Sequence, residues 1–164
     1  MNKILLILST SRTSEKAVDF AVDKARRDGT GLIALYIIDS ELTGEVFDRF
    51  TDIGFIGDKP STELTEAVMK EYRQRGYEEI GRVQVKAMEQ GVDFDAVTAH
   101  GDFVEETLKV MEKREVSVAV VVRRKTSRVS GFLKYFSRSM CAELEQQARC
   151  EVVIFEAEKD SGND

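Results

Sequence analysis

The chain has only two cysteines and one histidine among its 164 residues, and that scarcity closes off a class of function. Cys141 and Cys150 form no C-x-x-C, and with a single imidazole, His100, there are too few soft ligands for a zinc site. The two thiols read as reduced and structural, as is usual inside the cell. The apolar runs, Ile4–Leu8 and Val118–Val122 among them, fall far below the roughly 18 residues of a membrane helix. The opening MNKILLIL has a basic residue before an apolar stretch, yet that stretch is shorter than the usual signal-peptide core, and Arg12, Glu15 and Lys16 follow soon after. It reads as a first buried strand, and the protein as cytoplasmic.

Glycine-rich phosphate loops are missing too. GFIGDKPS at 54–61 has the wrong glycine spacing for G-x-x-x-x-G-K-[S/T], and Asp52 and Asp58 would repel an anion there. No G-x-G-x-x-G follows the first strand. The acidic cluster of a phosphate-accepting receiver domain is absent, since the first and third strands end in Ser9-Thr10 and His100-Gly101. No nucleophile–base pair can be assembled, and His100 reads as a turn residue, so the chain is expected to be a binding module and not an enzyme.

The composition that remains, 42% apolar and 33% charged, is that of one globular domain, assigned to 1–157. An acidic tail at 158–164 is expected to fray. Five short apolar runs, Lys3–Ser9, Leu32–Ile38, Asp93–Ala99, Ser117–Val122 and Glu151–Phe155, read as strands. Helical stripes lie between them: Val18, Ala21, Val22 and Ala25; Leu64 through Ala87, weakened by Gly76 and Gly81; Val104, Thr107, Leu108 and Met111; and Phe132, Tyr135, Phe136, Ser139 and Met140. Asp28-Gly29 reads as a helix stop, and Asp102 with Glu105 as a helix start. Strands that are continuous apolar runs alternating with helices imply an α/β fold, an open parallel sheet covered on both faces. Such sheets bind ligands beyond the carboxyl ends of the strands. Residues 40–60 interrupt the alternation with glycines, Pro60 and several phenylalanines, and read as a loop or insertion folded on the domain, with a lid or partner-binding surface as the alternative.

Charge is unevenly spread. The chain holds 24 Lys and Arg against 30 Asp and Glu, but six of the basic residues and no acid fall within 116–140. This stretch, VVVRRKTSRVSGFLKYFSRSM from 120 to 140, begins at the end of the fourth strand, where a ligand site is expected. The acidity of the rest of the chain and the lack of an aromatic stacking surface argue against nucleic acid.

Three segments carry a resemblance to the universal stress protein family: ILLILSTSRTSEKAVDFA at 4–21, HGDFVEETLKV at 100–110 and ARCEVVIF at 148–155. The resemblance implies a Rossmann-like five-stranded parallel sheet in the order 3-2-1-4-5. It also implies a homodimer through the fifth strand, with Val152, Val153, Ile154 and Phe155 at the interface. ATP-binding relatives carry G-x2-G-x9-G-[S/T] after the fourth strand and an aspartate at the end of the first. Here Ser9 replaces the aspartate, the first two glycines fall on Arg123 and Thr126, and the final pair falls on Arg138-Ser139. Side chains at those positions obstruct close approach of backbone to phosphate. The expectation is a dimeric, non-enzymatic stress-response or regulatory module with no certain cofactor, in which ATP in the usual mode is disfavoured. The alternative is a binder of another nucleotide or small anion. Its candidate contacts are Ser9, Ser11 and Ile37 with Arg123, Arg124, Thr126, Ser127, Arg128, Arg138 and Ser139.

Overall fold

The computed structural model describes residues 2–9, 13–39, 62–123 and 141–157. The 40–60 loop, the stripe at 132–140 and the 158–164 tail lie outside them. Five strands, β1 (Lys3–Ser9), β2 (Leu32–Asp39), β3 (Phe94–Gly101), β4 (Val116–Arg123) and β5 (Glu151–Glu156), form one parallel sheet in the order β3-β2-β1-β4-β5. Between them run α1 (Glu15–Asp28), α2 (Thr62–Glu89) and α3 (Phe103–Lys113), and residues 141–147 are helical. The expected fold class and strand order are the observed ones.

The centre of the sheet follows from its sequence. Ile4 through Leu8 are all buried, which only a strand covered on both faces can achieve. Full burial stabilises by about 1.5–3 kcal/mol for each such side chain. Alternation along the strand sends Ile4, Leu6 and Leu8 to a core shared with Val18, Ala21 and Val22 of α1 and Tyr72, Val83 and Ala87 of α2. Leu5 and Ile7 point the other way, toward Phe103, Val104 and Val110 of α3 and Cys141 and Leu144 of the 141–147 helix.

Local chemistry sets the helix ends. The Ser14 hydroxyl accepts from the Ala17 N–H at 3.2 Å to start α1. Gly29 closes it in the left-handed conformation at φ 65°, with its N–H directed at the Ala25 and Arg26 carbonyls. Asp102 starts α3 by accepting from the Glu105 N–H at 2.9 Å. The buried side chains of α3 are Phe103, Val104, Thr107 and Val110; Leu108 and Met111 flank that core half-buried.

The weakness expected of α2 at its glycines is not observed, since the helix runs unbroken through both. A Cβ at Gly76 would stand 2.6 Å from two ring carbons of Tyr36, itself fully buried in β2, so the aromatic ring lies directly on the helix backbone. Lys86 of α2 bonds both Glu15 and Asp19 of α1, and Arg82 joins the same network through Glu15. These bridges are partly or well exposed and fix the relative placement of the helices more than they add stability.

Candidate functional site

In a parallel sheet every strand ends on the same side, and the strand order here reverses at β1, whose neighbours are β2 and β4. The register at that point is uneven. β1 pairs with β2 to its last residue, Ser9↔Ile37, and β4 pairs with β5 to its last, Arg123↔Glu156. Between β1 and β4 the pairing stops at Leu6↔Val120, three residues short of either strand end. The two central strands are therefore paired in their amino half and unpaired toward the carboxyl edge. This is the position at which doubly wound sheets receive ligands.

Three predicted site residues share one sheet face near the carboxyl ends of these strands. Ser9 continues the Leu5–Ile7 row, Ile37 the Ile33–Leu35 row and Arg123 the Ala119–Val121 row, so all three belong to the sheet face covered by α3 and the 141–147 helix. Ser9 is 4% exposed, and its Oγ is the one buried side-chain polar atom among the described residues with no hydrogen-bond partner. A hydroxyl shut away from water without a partner costs free energy, and native proteins keep few such groups. A ligand atom in the crevice would satisfy it.

Arg123 is already engaged. Its Nη2 donates to Glu156 Oε1 at 2.8 Å, and the Ala157 N–H donates to the Arg123 carbonyl at 2.8 Å. The guanidinium has five N–H donors, so this contact leaves capacity for an anion. Glu156 carries no sequence signal of its own. Only the β4–β5 register, which sets it directly opposite Arg123, could have pointed to it. Ser11, Arg124, Thr126, Ser127, Arg128, Arg138 and Ser139 lie outside the described residues.

The remaining candidates separate in space. His100 is paired with Ile38, whose row faces α1 and α2, so the imidazole stands on the opposite sheet face from Ser9. Cys141 is buried and Cys150 half-buried; neither is in a disulfide, and burial pushes the Cys150 thiol up, away from the reactive thiolate. Among the described residues no group of three His, Cys, Asp or Glu side chains could hold a metal, and no helix is long and apolar enough to cross a membrane. Val152, Val153, Ile154 and Phe155 occupy β5, an edge strand, and all four are half-buried. Phe155 meets Phe20 of α1 with ring centroids 5.4 Å apart.

A shallow cavity of about 280 Å³ lies at the far, amino-terminal edge among Lys3, Arg26, Thr30, Gly91 and Asp93. It is bordered by the carboxyl ends of α1 and α2, whose carbonyl dipoles together with Asp93 disfavour an anion.

Comparison with known proteins agrees with this architecture. The sequence model of the universal stress protein family matches residues 1–156. The universal stress protein YxiE of Bacillus subtilis strain 168 is 29% identical over 161 residues, 93% of this chain and 97% of that protein. Among solved structures, the universal stress protein UspA from Lactobacillus plantarum superposes with a TM-score of 0.66 at 16% identity, covering 94% of this chain and 97% of its own. A universal stress protein family member from Arabidopsis thaliana with AMP bound gives 0.54 at 15% identity, covering 98% and 94%. Identities this low speak for the fold alone. The family match, running from β1 to the last residue of β5, speaks for descent: the chain belongs to the universal stress protein family.

Proposed function

We propose that this chain is a non-enzymatic, dimeric regulatory module of the cytoplasm whose β1–β4 crevice binds a small phosphorylated ligand, a nucleoside monophosphate being the first candidate. The observation that carries the reading is the parting of β1 from β4 beside the buried, unpartnered Ser9 hydroxyl, with Arg123 on the same sheet face. In sequence, Arg124, Lys125 and Arg128 follow directly, and charge-assisted hydrogen bonds of about 1.5–3 kcal/mol each can compensate for a missing glycine cradle. The relative with AMP bound supports this ligand class by analogy of fold. ATP is disfavoured because Ser9 offers no carboxylate and the glycine positions carry side chains. His100, the single imidazole, stands across the sheet from Ser9, which favours a binding role over acid–base chemistry. The apolar, half-exposed edge of β5 favours a dimer, since an unpaired edge strand invites another chain.

Thermal shift with AMP, cAMP, magnesium ATP and sulfate tests the site. AMP at about a hundred times its Kd should stabilise by about 2.7 kcal/mol. For a domain of this size that corresponds to roughly 5–10 °C. Magnesium ATP should give a smaller shift. Ser9→Ala should leave the melting temperature of the free protein unchanged or higher, because it removes an unsatisfied group, and should reduce the AMP shift. Stoichiometric ATP carried through purification, or an AMP shift undiminished in Ser9→Ala, would contradict the assignment.

A further inference from the structure

We infer that Glu156 sets the affinity of the crevice for anions, by competing with the ligand for Arg123; the inference rests on the binding role proposed above. Arg123 and Glu156 are the last residues of their strands and exact opposites in the register. Both continue rows on the Ser9 face: Ala119 and Val121 lead to Arg123, and Val152 and Ile154 lead to Glu156. The Nη2–Oε1 contact at 2.8 Å holds the guanidinium toward the β5 edge, while Ser9 lies across the opening on the β1 side.

The pair is asymmetric. The Arg123 side chain is 33% exposed and Glu156 is 66% exposed, so the carboxylate can return to water more readily than the guanidinium. An arriving phosphate therefore meets a cation whose present partner is easily displaced. Phosphate carries more charge than a carboxylate and offers three acceptor oxygens to the guanidinium fork. Until displaced, Glu156 both occupies a donor and places a negative charge beside the crevice. The prediction is selective: Glu156 opposes the phosphate part of a ligand and is indifferent to an uncharged nucleoside.

Isothermal titration of the full chain with AMP and with adenosine tests this in the wild type, Glu156→Gln, Arg123→Gln and the double variant. An exposed pair of this kind supports a gain of about two- to fivefold in AMP affinity for Glu156→Gln. The gain should shrink as salt is raised, because the groups are within reach of screening ions. Adenosine affinity should stay constant, and in the Arg123→Gln background Glu156→Gln should give no gain. If AMP binds the wild type and Glu156→Gln equally, if adenosine gains as much as AMP, or if the gain survives without Arg123, the competition is refuted while the binding role stands. If AMP binds none of the four proteins, the binding role fails and the inference falls with it. Far-UV circular dichroism of each variant separates loss of binding from loss of fold.

Discussion

Alanine placed at the two interior glycines of α2 should have opposite effects on stability. In an open helix position, Gly→Ala stabilises by about 1 kcal/mol through backbone entropy alone. At Gly81 an added Cβ meets nothing within 4 Å, so Gly81→Ala should raise the melting temperature by roughly 2–4 °C. At Gly76 the same Cβ would stand 2.6 Å from Cδ1 and 2.6 Å from Cε1 of Tyr36. The ring cannot swing into solvent, because Tyr36 is fully buried between Gly76 and the core of the α1–α2 face. Overpacking of this kind costs about 1–3 kcal/mol, and two simultaneous ring contacts belong to the upper part of that range. After the propensity gain is subtracted, Gly76→Ala should lose about 1–2 kcal/mol, a fall of about 2–8 °C. Differential scanning calorimetry on the two single variants is sufficient. Equal stabilisation in both would show that the contact between Tyr36 and the helix backbone does not constrain position 76.

Two further outcomes follow from surface features. The Arg114 guanidinium, hydrogen-bonded to Asp95 in β3, holds the Asp95 carboxyl below the usual carboxylate range. A depressed carboxylate stabilises the fold above its unfolded pKa of about 4, and that contribution is lost as pH falls through the folded value. Arg114→Gln should thus lower the melting temperature near neutral pH, with the difference from wild type narrowing below about pH 4; a constant difference across that range would dismiss the pair as a source of pH dependence. In sedimentation velocity the wild type should run as a dimer and Ile154→Lys as a monomer, since Lys at an edge strand blocks strand addition. A dimer retained in that variant would move the interface away from β5.

Most of the strand pattern could be read from the residues because the buried strands are nearly pure apolar runs. The predicted bounds of β1 match the observed ones, whereas β2, β3, β4 and β5 each extend at the carboxyl end past the apolar run, into Asp39, His100 and Gly101, Arg123 and Glu156, and β3 begins at Phe94, one residue after the expected Asp93. Those extensions are held by backbone pairing with a neighbouring strand, such as Ile38↔His100 and Asp39↔Gly101, to which hydrophobic patterning is blind. The continuity of α2 was hidden for a similar reason. Gly76 looks like a helix breaker locally and is explained only by Tyr36, 40 residues earlier in the chain. At the candidate site, Ser9, Ile37 and Arg123 are nominated by strand ends and family resemblance together. The ion pair with Glu156 was not, because its partners are 33 residues apart and meet only through the register of two parallel strands.

The uneven seam between β1 and β4 also bears on how such a protein can change over time. Its closed half is formed by residues such as Leu5, Leu6, Ala119 and Val120, all completely buried, where substitution disturbs the core on one face or the other. Its open half ends in Ser9 and Arg123, which hold little of that core. On the binding role proposed above, replacements at the unpaired end would retune which ligand is accepted while the closed end keeps the chain folded. A lineage could then exchange an acidic group for a hydroxyl, or a glycine for an arginine, with little change to the apolar core.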